Sequence, residues 1–305
     1  MTRPRTSGLV LVGSSYVIWG LLALYWKALD RVGALELLAL RIVLSLGLLT
    51  VLVARRRGWS MVAALMRDRR RRTLTVVAAM LLTMNWGTYI FGVTGGRVVE
   101  TALGYFITPL TTVIVGVVVL HERLRPAQWV AVACAVLAVA VLTVSYGRPP
   151  WLGLILALTW TGYSFLKRQT EMPAIESLWS EAVVVAPLAA LVVAIKLAGH
   201  HSAFTTLSRP LVGLLLLSGV VTSVPLLLFG AGAPRIGLVQ IGLVQYVNPL
   251  ISFSLGTFAF HESMPAARLL GFVFVWIALV VFTTDALRST LSTKIDLDAV
   301  VSPSG

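Results

Sequence analysis

The chain has 305 residues, of which 58% are hydrophobic and only 12% charged, with a mean hydropathy of +0.90. Soluble domains run about 45–50% apolar and about 25% charged, so a water-soluble globular protein is excluded. A net charge of +13 would suggest nucleic acid in a soluble chain, but the basic residues here have a topological explanation.

A bilayer crossing takes about 20 mostly apolar residues. Helices and closed barrels are the spanning structures that satisfy their own backbone groups, and the alternation of a barrel is absent. Hydrophobic windows predict an all-α integral membrane protein with ten spans. In chain order these are 8–29, 35–54, 73–94, 100–120, 127–145, 150–166, 177–198, 211–231, 238–260 and 266–286. The first follows Arg3 and Arg5 like a signal peptide, but it reaches Trp26 and Lys27 with no small-residue cleavage site and reads as a retained helix. The sixth is short. Cys134 is the single cysteine and lies inside a span, which leaves no disulfide framework and no thiolate metal site. No cofactor or metal motif stands out.

Lys and Arg stay on the cytoplasmic side of a membrane. With the N-terminus inside, the inner segments carry Arg3, Arg5, the eight arginines of 55–72, Arg123, Arg125, Lys167, Arg168, Arg235, Arg288 and Lys294. The outer segments keep Arg31, Arg97, Arg148, Lys196, Arg209 and Arg268. Both termini are therefore expected in the cytoplasm. The loop RRRGWSMVAALMRDRRRR reads as a device for topology and for anionic lipid headgroups, not for nucleic acid.

An internal repeat appears at an offset of 140 residues. Lys27 meets Lys167, Glu36 meets Glu176, Pro109-Leu110 meets Pro249-Leu250, and His121-Glu122 meets His261-Glu262. The expected organisation is a short cytoplasmic N-terminus (1–7), a five-helix unit (8–145), a second five-helix unit (150–286) and a cytoplasmic tail (287–305). Five is odd, so the second unit enters from the opposite side. Inverted repeats of this kind are characteristic of secondary transporters.

The stretches YVIWGLLALYWK (16–27), ELLALRIVLS (36–45), NWGTYIFGV (85–93), ETALGYFITPL (100–110), HERLRPAQW (121–129), TSVPLLLF (222–229) and QYVNPLISF (245–253) resemble the drug/metabolite transporter superfamily, in its EamA-like group and RarD-type branch. The resemblance covers about 10–285. It implies a ten-helix inner-membrane permease of two inverted halves, in a branch linked to chloramphenicol sensitivity or resistance.

Polar groups inside a membrane are costly and usually face the bundle interior or a water-filled path. Asn85, Trp86 and Tyr89 form one candidate group; Asn85 and Tyr89 share a helix face. They either line a cavity or, in the case of Asn85, bond a neighbouring helix. Gly104, Tyr105 and Pro109 have repeat counterparts at Val244, Gln245 and Pro249, with Tyr246 and Asn248 beside them. Each proline should kink its helix and free a carbonyl one turn earlier, near Tyr105 and Gln245. Two such interruptions at the midplane predict one shared substrate site, against the plainer alternative of packing kinks. Pro225 is expected to kink the eighth span. Trp19, Trp160 and Tyr163 are further cavity candidates, although aromatics in spans more often pack.

Arg41 and Glu181 occupy equivalent repeat positions. Each lies about 9 Å into its span at about 1.5 Å per residue. They enter opposite faces of a core about 30 Å thick, so about 12 Å should separate them. Arg41 is expected instead to pair with Glu36 or Glu100, alongside Lys27, in a structural, gating or substrate-attracting cluster. His121-Glu122 and His261-Glu262 read as anchors at helix ends. The function expected is secondary transport of a small organic solute, outward, by alternating access, with Glu181 the best carboxylate for proton coupling. A membrane-embedded lipid-modifying enzyme is the rival reading; it would need clustered carboxylates, histidines or a metal motif. A homodimer is left open.

Overall fold

The computed structural model describes residues 2–94, 97–169, 172–199 and 202–255, with runs of one to three residues between 258 and 284. The first ten elements are α1 (Thr2–Ala28), α2 (Ala34–Arg55), α3 (Trp59–Arg67), α4 (Arg69–Thr94), α5 (Val98–Val118), α6 (Pro126–Tyr146), α7 (Trp151–Gln169), α8 (Ala174–Ala198), α9 (Ala203–Thr206) and α10 (Arg209–Gly232). A 3-10 turn (Ala233–Arg235) leads to α11 (Leu238–Val244) and α12 (Val247–Ser254). The protein is an all-α membrane protein. Among the described residues six helices are long and apolar enough to cross a bilayer, namely α1, α2, α4, α6, α8 and α10. Shorter apolar stretches lie in α5 and across α11–α12. The expected tenth span (266–286), His261-Glu262 and the tail (287–305) fall largely or wholly outside the described residues.

Two expectations need correction. The arginine-rich stretch 55–72, read as a loop, contains α3. Val62 and Leu65, three apart, bury one side of it while its arginines stay exposed. Trp59 at its start meets Trp179 edge to face at 5.2 Å. The ninth span, read as one kinked helix, is two helices separated at Gln245-Tyr246. Its counterpart α5 runs unbroken through Pro109, and α10 runs unbroken through Pro225. Threonines cluster around the proline of α5. The Thr108 hydroxyl donates to Gly104 O, and the Thr111 and Thr112 hydroxyls donate to Thr108 O at 2.9 and 2.8 Å. These bonds go to carbonyls before and after Tyr105, whose own carbonyl is the one Pro109 leaves without an N–H.

Helix contacts recur in pairs at the 140-residue offset. α1 packs on α10 as α7 packs on α4, and α5 packs on α7 as α12 packs on α1. α2 meets α8, and α5 meets α11, in the middle of the bundle. Small residues allow the close approaches, as is usual between helices in lipid. A Cβ on Gly219 of α10 would stand 2.6 Å from Leu44 C and 2.8 Å from Ser45 N of α2. A Cβ on Gly104 of α5 would stand 3.1 Å from Gly153 Cα of α7.

Carboxylates from one helix cap the start of another. Glu36 accepts from Ala203 N–H (2.7 Å) and the Ser202 hydroxyl (3.1 Å) at the head of α9. Its repeat partner Glu176 lies against Gly58, before α3, but makes no cap hydrogen bond there, and its Oε2 is buried with no partner among the described residues. Glu100 accepts from Leu152 N–H (2.8 Å) at the start of α7 and pairs with Arg148 (3.7 Å). Glu122 accepts from Leu238 N–H (2.8 Å) and Val239 N–H (2.9 Å) and pairs with Arg168 (2.8 Å). Negative charge at a helix N-terminus answers both the unpaired N–H groups and the helix dipole. His121, in the left-handed region at φ +53°, turns the chain so that Glu122 can reach α11.

Candidate functional site

A cavity of about 40 Å³ lies between α2, α4, α8 and α10. Ile42, Ser45 and Leu49 of α2 face Leu178, Glu181 and Val185 of α8. Leu82, Thr83 and Trp86 come from α4, and Thr222, Ser223 and Leu226 from α10. The volume admits water and no organic solute. Its walls are mostly apolar, but the Thr222 and Ser223 hydroxyls on α10 are buried with no hydrogen-bond partner among the described residues. An unsatisfied buried hydroxyl costs about 1–3 kcal/mol, and such groups call for a ligand or water.

Glu181 forms one end of this cavity. Its Oε1 pairs with Lys167 Nζ at 2.5 Å. Ser177 accepts from Lys167 Nζ (2.8 Å) and donates to Glu181 Oε1 (3.2 Å), while Tyr163 donates to Glu181 Oε2 (3.2 Å). The side chains of Lys167 and Glu181 are 2% and 3% exposed. Lys167, read as a charge at the inner flank of its span, is thus buried, held by Ser177 and Glu181 of α8.

An aromatic cluster adjoins this pair. Trp19 meets Trp160 at 5.1 Å, Trp160 meets Tyr163 at 5.5 Å, and Tyr163 stacks on Phe229 at 6.2 Å. Trp160 Nε1 donates to the Tyr16 hydroxyl at 3.3 Å. Trp19, Trp160 and Tyr163 therefore stand together, with Tyr163 touching the ion pair.

Arg41 does not pair with Glu36 or Glu100, which cap α9 and α7. Its guanidinium lies 4.3 Å from the centre of the Trp86 ring and 5.5 Å from that of Trp26. Glu181 takes Lys167. Lys27 is exposed at the end of α1. The five charged candidates therefore do not form one cluster.

The midplane group is divided as well. Asn85 donates to Leu156 O (2.9 Å) and Thr159 Oγ1 (3.0 Å), fastening α4 to α7. Trp86 lines the cavity. Tyr89 and Tyr105 are partly exposed and meet edge to face at 6.2 Å. Gly104 is packed on α7, and Pro109 O lies against Gly242 of α11. Gln245 accepts from Thr112 at 3.4 Å, and Tyr246 donates to Phe106 O at 3.4 Å. Asn248 and Pro249 sit in α12, half-buried and buried. Tyr105 thus turns to Tyr89 while Gln245 turns to Thr112, so the two are not brought together. Ser45, Ser177, Thr222 and Ser223 carry no motif. The one sequence signal for that end of the site is that Ser177 and Glu181 stand four apart on one helix face.

Similar proteins point the same way. The EamA-like transporter family matches residues 6–144. Protein RarD of Streptomyces exfoliatus is 42% identical over 97% of this chain and 94% of its own. Protein RarD of Escherichia coli K12 is 32% identical, over 96% and 99%. A protein of Vibrio cholerae described as an uncharacterized transporter is 35% identical over 94% and 95%. A solved crystal structure with 20% sequence identity superposes with a TM-score of 0.71 over 91% of this chain and 97% of that one.

Proposed function

The chain belongs to the EamA-like transporter family, as a RarD-type permease of the drug/metabolite transporter superfamily, and on that footing we propose that it exports a small organic solute by alternating access. The observation that carries this reading is the cavity walled by four helices, with buried unpaired hydroxyls on one side and Trp86 on another. Its small volume fits an occluded state, which must widen before a solute enters. The paired helix contacts support two inverted halves rocking about this point. The arginines of 55–72 support an inner location for α3 against anionic headgroups, and with it cytoplasmic termini.

Export is tested by comparing metabolites released by cells with the wild type, with no protein, and with Trp86→Ala. Solutes released through the wild type should fall about tenfold in the variant at equal membrane abundance, equivalent to about 1.4 kcal/mol of lost binding. An unchanged release profile would remove the cavity from the path. Orientation has its own test. In a Cys134→Ser background, Ser60→Cys on α3 should resist an impermeant maleimide added outside intact cells and react after permeabilisation. Prompt labelling of intact cells would invert the topology.

A further inference from the structure

Arg41 is a cation inside the bundle that the site leaves unanswered. Among the described residues most other deep charges stand against an ion-pair partner or the head of a helix. Lys167 has Glu181, Glu100 has Arg148, Glu122 has Arg168, and Glu36 holds the start of α9. Glu176 also keeps one carboxylate oxygen buried without a partner among the described residues, but it lies beside Gly58 before α3 and not beside the cavity. Among those residues Arg41 takes part in no ion pair, and its Nε is buried without an acceptor. Its one compensation is aromatic: Trp86 at 4.3 Å and Trp26 at 5.5 Å.

That arrangement has a chemical direction. A ring face attracts the cation but does not use the N–H groups that project from the edge of the guanidinium. Those donors form a planar fork that matches a carboxylate in two parallel hydrogen bonds. Tyr89 and Tyr105 lie near Arg41, and because their side chains bond each other they leave one further hydroxyl donor between them. Trp86 belongs to both places, since it carries Arg41 and lines the cavity with Ile42, Leu49 and Leu82. A ligand that satisfies all of this is negative at one end and apolar at the other.

We propose that Arg41 recognises the carboxylate of a small organic anion whose apolar body enters the cavity beside Trp86. This rests on the transport reading and names its substrate class. Arg41 fixes the charge of the solute, and the indoles on either side hold the guanidinium ready without neutralising it. The balanced Lys167–Glu181 pair contributes no competing net charge.

The test uses the full-length protein in phosphatidylcholine nanodiscs with three probes of one shape: phenylacetate, phenylacetamide and phenethylamine. Quenching of tryptophan fluorescence reads binding. Phenylacetate should bind at least tenfold more tightly than the amide or the amine. Arg41→Gln should lose that preference, Arg41→Lys should keep part of it, and Arg41→Glu should reverse it toward phenethylamine. The reversal separates recognition from a merely structural role. Equal binding of the three probes by the wild type, or failure of phenylacetate to bind, overturns the anion site. Replacing the disc lipid with phosphatidylglycerol should leave phenylacetate binding within a few-fold; its suppression by tenfold or more overturns the solute assignment in favour of a lipid headgroup. Proteoliposome counterflow separates the two levels. Phenylacetate that binds without counterflow keeps the anion site and overturns transport, whereas counterflow of the amine alone keeps transport and overturns the anion site.

Discussion

Glu181→Ala is expected to destabilise the fold by about 3–5 kcal/mol, because it strands the Lys167 ammonium in a site where that side chain is 2% exposed. Lys167→Met should do comparable damage by stranding Glu181, softened by the Tyr163 and Ser177 hydroxyls that still reach the carboxylate. The double variant should recover much of the loss. Two buried charges cost more when one is removed than when both are replaced by apolar groups of similar volume. Denaturation in mixed micelles, followed by loss of helical signal, gives the four free energies of the cycle. A double variant as unstable as the sum of the singles would show that the ion pair is not what holds α7 to α8. The same cycle bears on transport. If Glu181 is also the proton-coupling group, the double variant should regain stability without regaining uptake driven by a pH gradient.

Gly219→Ala should destabilise the protein by about 1–3 kcal/mol, although it adds a single methyl group. The new Cβ would lie 2.6–2.8 Å from Leu44 C, Leu44 Cβ and Ser45 N, and two of those atoms are backbone that cannot rotate aside. α10 must move off α2, which also stretches the Ser45 hydroxyl bond to Gly219 O, 3.1 Å in the wild type. Gly213→Ala on the same helix is the control. A Cβ there meets nothing within 4 Å, so the change should be neutral or should stabilise by up to about 1 kcal/mol through helix propensity. Similar melting of the two variants would mean that the α2–α10 approach is looser than the structure has it.

The reach of the sequence follows from what lipid enforces. A bilayer fixes how long and how apolar a span must be, so α1, α2, α4, α6, α8 and α10 coincide closely with their hydrophobic windows. It does not fix rotation about the helix axis. Asn85 therefore reads equally as cavity lining or as a bond to a neighbour, and only the packing of α4 on α7 aims it at Leu156 and Thr159. α3 is hidden in the sequence because the arginines around it overwhelm a two-residue apolar stripe. Lys167 is hidden for a related reason: position near a span end suggests the surface, whereas Ser177, Glu181 and the Tyr163 ring enclose its ammonium. The midplane prolines point to an interruption in both halves. Only the second half has one; α5 runs on through Pro109. Trp86 is legible as a candidate; its neighbour across the cavity, Ser223, is one apolar-helix serine among several and carries no mark of its own.

Glu122 is the point at which distant parts of the chain are tied together. Two oxygen atoms on one side chain hold the first two N–H groups of α11 and the guanidinium of Arg168, so segments from both halves of the chain converge on a single carboxylate. Arg168 is itself tied to Ile236 O at 2.9 Å. Glu122 Oε1 serves both Leu238 N–H and Arg168, while Oε2 serves Val239 N–H. Removing this one carboxylate would therefore leave the head of α11 and the guanidinium of Arg168 without a shared anchor at the same moment.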